Sequence, residues 1–170
     1  AGGPAAVTPS QTVGPFFHIG MDWDDWHEVV AADQADAIEL VGRVVDGAGD
    51  GVPDALVEVW MADAAGRYNH PDDRWDPDGQ LGWGRDATDA AGGFRFVAAV
   101  PGSVDGQPPH VAVLVFARGL LDHLVTRAYL CDPDEARGAE QVDPVLAAVP
   151  ADRRERLFAR PDDDHDGRAV

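Results

Sequence analysis

The chain has 170 residues, 45% of them hydrophobic and 26% charged, which suits one domain with a packed core and excludes a disordered tail. Its formal net charge is −18, from 31 acidic and 13 basic residues, which argues against a nucleic-acid or anionic-membrane surface. A single cysteine, Cys131, excludes an intrachain disulfide and favours a reducing, cytoplasmic setting.

In chain order, residues 1–20 are Gly/Pro/Thr-rich and extended, with Gly14 and Pro15 placed to turn the backbone. They lack the basic and apolar regions of a secretory signal, and no apolar run in the chain approaches the roughly 20 residues a bilayer span needs. Residues 21–37 are acidic, with Trp23 and Trp26 interspersed, and suit a short helix or an ordered loop. From Ile38, "IELVGRVVDGAGDGVPDALVEVWM" reads as two β-branched strands joined as a hairpin or an arch. Its "DGAGDG" lacks the spaced ligands and terminal Glu of a calcium loop and reads as a turn. Residues 62–88 form a long irregular stretch, of the length that loops with a functional or interface role reach. "GGFRFVAAV", "HVAVLVFA" and "HLVTRAYL" follow as three more strands. "ADRRERLFAR" has helical spacing behind Pro150, and "PDDDHDGRAV" closes the chain as an acidic loop. The expected fold is an all-β sandwich in a single domain, with an arm and loop over 1–37 and the core over 38–170.

Side-chain chemistry points nowhere decisive. The six histidines (His18, His27, His70, His110, His123 and His165) form no HxH, HxxxH or HExxH motif. In the strand "PPHVAVLVFARG", alternation puts His110, Ala112, Leu114, Phe116 and Arg118 on one side. A His-x-His pair there would aim two imidazoles at one metal, but the second position is Ala112. His110 is then either a hydrogen-bonded core histidine or half of a lost metal site. Arg118 is either a surface arginine paired with an acid or an anion-binding or interface residue. Trp60, Trp75 and Trp83 read as core or interface anchors, and Cys131 as a small buried hydrophobe.

Five stretches carry a resemblance: "TPSQTVGPFFHIG" (8–20), "LVEVWMADAAGRY" (56–68), "HVAVLVFARG" (110–119), "LVTRAYL" (124–130) and "DPVLAAVPADRRERL" (143–157). Together they resemble the α chains of the protocatechuate 3,4-dioxygenase family, intradiol ring-cleaving dioxygenases, from about residue 8 to residue 168. The resemblance implies a β-sandwich subunit that works with a homologous β subunit in a higher-order αβ assembly. It implies Fe(III) held by the β subunit through two tyrosines and two histidines, with no metal bound by this chain. On this sequence those four positions fall on Trp75, on Ser103 or Val104, on His110 and on Ala112, so His110 is a relic ligand position.

The resemblance further implies that Thr12, Gly14, Pro15, Tyr68 and Arg118 line the substrate site toward the partner, with no complete catalytic set in this chain. Some related arms carry Tyr where Phe16 stands here. The implied substrates are protocatechuate, a small aromatic acid, and O2, with 3-carboxy-cis,cis-muconate as product. His110 and Arg118, eight residues apart on one strand and so roughly 26 Å, are not expected to share a pocket. Relatives run on past the "DG(R/K)" turn, which implies a further strand after Val170. The competing reading is a stand-alone β-sandwich binding module that has lost catalysis.

Overall fold

The computed structural model describes residues 9–14, 17–70 and 82–161. Among the described residues, six strands form two antiparallel sheets: β1 (Ala37–Arg43), β2 (Leu56–Met61), β3 (Trp83–Ala87), β4 (Gly93–Ala99), β5 (His110–Phe116) and β6 (Leu124–Tyr129). One sheet is the pair β1-β4, and the other has the order β3-β2-β5-β6. The expected sandwich is therefore the observed one. The two runs after Ile38 are an arch, because β1 and β2 belong to different sheets. Asp46 shapes the turn in "DGAGDG" by accepting from the backbone N–H groups of Ala48 and Asp50.

The core lies between the sheets, where Val57, Val59, Met61 and Val111 meet Leu40, Phe96 and Ala98. These are the alternate positions of strands whose other face looks outward. One side of the sandwich is closed by residues 26–30. The Val29 N–H donates to Val97 O, the Val97 N–H to His27 O, and the Arg85 N–H to Trp26 O. At Gly84 a side chain would collide with the Trp26 carbonyl and Val29, so only glycine lets this segment come so close to β3.

Two features depart from the sequence expectation. Trp83–Ala87 is a strand, although the expected irregular stretch included it. The expected C-terminal helix is a short α-helix, α3 (Ala151–Arg154), followed by a 3-10 turn over Glu155–Leu157. Before it stands α2 (Pro144–Ala148), and a five-residue helix, α1 (Phe17–Met21), lies near the N-terminus. None of the helices among the described residues is long and apolar enough to cross a membrane. The segment 136–158 folds over one end of β6, where Tyr129, Ala136 and Leu146 form a second buried cluster.

Candidate functional site

Of the arm residues expected to line a substrate site, Thr12 lies against the turn between β5 and β6. Thr12 Oγ1 accepts from the Gly119 N–H at 2.8 Å, and Ser10 Oγ donates to Asp122 at 3.0 Å. Gly119 supplies a left-handed backbone there, at φ 88°. A cleft of 170 Å³ opens beside these contacts, lined among others by Val13, Phe116, Leu120 and His123. Arg118 stands just past the end of β5, in an ion pair with Asp54; its side chain is 56% exposed while that of Asp54 is 13% exposed. Thr12 and Arg118 thus come together across one turn. Gly14 is exposed with open space around its Cα. Pro15, with Phe16, lies outside the described residues.

Tyr68 does not join them. It follows Met61 at the far end of β2, while Arg118 adjoins Phe116, the partner of Leu56 at the near end. Five residues of strand separate those ends, about 17 Å.

His110 lies at the Tyr68 end, only 4% exposed, with Nδ1 donating to Pro108 O at 2.8 Å. Burial, chiefly, holds its pKa below the usual imidazole value, against the effect of that carbonyl, so the ring is neutral at pH 7. The strand register sets Tyr129 opposite His110 and Arg127 opposite Ala112. Arg127 Nη1 donates to Asp143 Oδ2 at 2.8 Å and to Gln107 Oε1 at 2.6 Å. Tyr129 also donates to Asp143 Oδ2, at 2.8 Å. Ser103 Oγ donates to Gln107 O, which ties the Ser103 position into the same network.

The charged and polar groups of this cluster shift one another. Burial pushes the Asp143 carboxyl up, but the N–H groups of Leu146 and Val145, the Tyr129 hydroxyl and the Arg127 guanidinium together hold it below the usual carboxylate range. Burial first, then the bond to Asp143, raises the Tyr129 phenol well above its ordinary value, so it stays a neutral donor. The described residues at the expected ligand positions therefore do not fit ferric iron. They offer one imidazole, no phenolate, an alanine where a second imidazole would stand, and a guanidinium opposite that alanine. No three His, Cys, Asp or Glu side chains among the described residues are placed to hold a metal. Trp75, the remaining position, is outside them.

Of the three tryptophans read as anchors, Trp60 and Trp83 meet on the outer face of the four-stranded sheet, with ring centroids 6.5 Å apart. Trp60 is 38% exposed, so it is no core residue. Cys131 is half-buried, and burial first, then the nearby Glu135 and Asp132 carboxylates, push its thiol pKa up. The Arg127–Asp143–Tyr129 network was not read from the sequence. Its one available signal was Asp143 followed by Pro144, a cap-and-first-turn pair; Asp143 Oδ1 accepts from Val145 and Leu146.

Comparison with known proteins shows the family and the fold. A family model described as "Dioxygenase" matches residues 14–168. The chain is similar to the protocatechuate 3,4-dioxygenase alpha chain of Burkholderia cepacia, 38% identical over 91% of this chain and 84% of that one. It is also 37% identical to the beta chain from the same organism, over 72% of this chain and 55% of the other. Among solved structures, the dioxygenase domain of a dioxygenase–carbohydrate-binding fusion from a cellulolytic Streptomyces superposes with a TM-score of 0.61 at 22% identity, covering 95% of this chain and 94% of that one. That likeness establishes the shared fold.

Proposed function

The chain belongs to the intradiol dioxygenase family that includes the protocatechuate 3,4-dioxygenase chains, and on that premise we propose that it is the α subunit of an αβ enzyme of this kind. The complex cleaves protocatechuate with O2 to 3-carboxy-cis,cis-muconate, both oxygen atoms entering the product. This places the protein in aerobic breakdown of aromatic acids, by the β-ketoadipate route, in the cytoplasm. The supporting observation is that similarity to an α chain spans 91% of this sequence, while its own ligand positions do not fit iron. On this reading Fe(III) sits in the homologous β subunit, where it activates the bound catechol.

This chain contributes surface rather than chemistry. Thr12, held on Gly119 from the arm, and Arg118, paired with Asp54 at the end of β5, bring a hydroxyl and a guanidinium to one turn. Arg118 is suited to an aromatic carboxylate, and its positive charge matters more because the chain carries −18 overall and the substrate is an anion. Gly14, Pro15 and Tyr68 also belong to the lining of the shared site in this proposal, with Tyr68 beyond the far end of β2. A stand-alone binding module has no observation in its favour.

The test is oxygen uptake. This chain is co-purified with a β chain, and protocatechuate-dependent uptake is measured for the pair and for each chain alone. Uptake by the pair alone supports the reading; activity of the isolated β chain equal to that of the pair removes the α subunit from the function.

A further inference from the structure

We infer that Arg85 is a positioning residue that fastens the root of the N-terminal arm, and so sets where the arm's tip presents itself to the shared site; the inference rests on the subunit reading above. Arg85 sits mid-strand on the outer face of β3, opposite Glu58 on β2, and is only 8% exposed. Its Nε donates to Glu58 Oε1 at 2.8 Å, and Nη2 pairs with the same oxygen. Nη1 reaches the Met21 carbonyl at 3.4 Å. The guanidinium lies 4.8 Å from the ring centre of Trp26 and 5.0 Å from that of Trp83. Its backbone N–H donates to Trp26 O at 2.8 Å. One residue therefore grips positions 21 and 26 by carbonyl, ring and main chain.

Hydrophobic packing does not do this job. Ile19, Met21 and Trp23 are 64%, 41% and 58% exposed, so the root of the arm buries little apolar surface against its own sheet. Trp23 instead leans on Trp26, centroids 4.7 Å apart, and Trp26 stands edge-on to Trp83 at 5.1 Å. The arm is thus tied at the β5–β6 turn through Ser10 and Thr12, and its root at β3 through Arg85, just before His27, Val29 and Val30 bond to Val97 of β4. A planar guanidinium can stack between two indoles and hydrogen-bond in its plane at once, which an ammonium cannot. Preordering the arm in this way lowers the cost of ordering it when partner and substrate arrive.

The experiment replaces the pair together, Arg85→Met with Glu58→Met, so that no buried charge is left without its partner. Arg85→Lys is made beside it. Circular dichroism checks that both fold. Amide exchange in residues 17–26 of the full chain should quicken by about tenfold or more in both variants, because local opening no longer breaks the clamp. In the αβ complex the KM for protocatechuate should rise roughly tenfold, with kcat within about twofold and the iron content unchanged, the pattern of lost positioning at binding. Unchanged exchange overturns the clamp, and faster exchange with an unchanged KM overturns its role in positioning. An inactive wild-type complex would instead defeat the subunit reading, while exchange in the free chain still tests the clamp.

Discussion

Replacing Asp143 with alanine is the sharpest test of the buried network beside His110. Asp143 is 1% exposed and its carboxylate has three tasks. Oδ1 caps α2 through the Val145 and Leu146 N–H groups, at 2.9 and 3.1 Å. Oδ2 accepts from both Arg127 and Tyr129 at 2.8 Å. Losing the cap costs about 1 kcal/mol. Leaving a largely buried guanidinium without its counter-ion costs about 3 kcal/mol or more, with Gln107 offsetting part of it. A total near 4 kcal/mol corresponds to a fall in Tm of about 10 °C for a chain of this size.

The pH dependence carries a sign of its own. A carboxyl whose folded pKa lies below its unfolded value stabilises the protein above the unfolded pKa, and that contribution disappears as pH falls through the folded value. The gap between wild type and Asp143→Ala should therefore be full at pH 7 and shrink below about pH 4. Urea denaturation followed by circular dichroism measures both. A difference under about 1 kcal/mol at pH 7, or a gap that widens on acidification, refutes the assigned balance.

Other expectations follow from single contacts. Arg118→Ala should weaken turnover of the complex through KM by about tenfold while its iron content stays constant, measured by steady-state oxygen uptake and iron assay; loss of iron would mean that Arg118 holds the interface. His110→Gln should leave the iron content of the αβ complex unchanged, because the imidazole is a core hydrogen-bond donor to Pro108; a loss of iron would make it a ligand. Gly66→Ala should destabilise the chain by at least about 2 kcal/mol, since φ is +74° and a methyl group would meet the Ser103 carbonyl; thermal unfolding reads it directly.

The strands legible in the sequence were those with apolar alternation or β-branched runs. β4, β5 and β6 match the expected stretches almost residue for residue, because each is a run rich in apolar and β-branched residues bounded by turn residues. β3 was illegible for a physical reason. "WGRDA" has no apolar alternation, and its outward arginine is buried only because Glu58, Trp26 and Trp83 meet it from elsewhere in the chain. The hairpin-or-arch choice at residues 44–55 depended on which sheet each strand joins, which local turn chemistry does not encode. At the site, the juxtaposition of Thr12 and Arg118 spans more than a hundred residues and appears only in the fold. That no His-x-His pair stands on β5 was visible at Ala112, but not that Arg127 stands opposite it.

The account stands on a division of labour in which this chain shapes the site and its partner holds the iron. The most direct measurement is iron content and visible absorption of this chain purified alone, beside the same chain co-purified with a β subunit. The account predicts a colourless, iron-free isolated chain and a red-brown complex with about one iron per αβ pair, the colour arising from charge transfer from hard phenolate oxygens, supplied by the partner, to Fe(III). Stoichiometric iron and colour in the isolated chain would contradict it, because the residues around His110 would then be ligands after all.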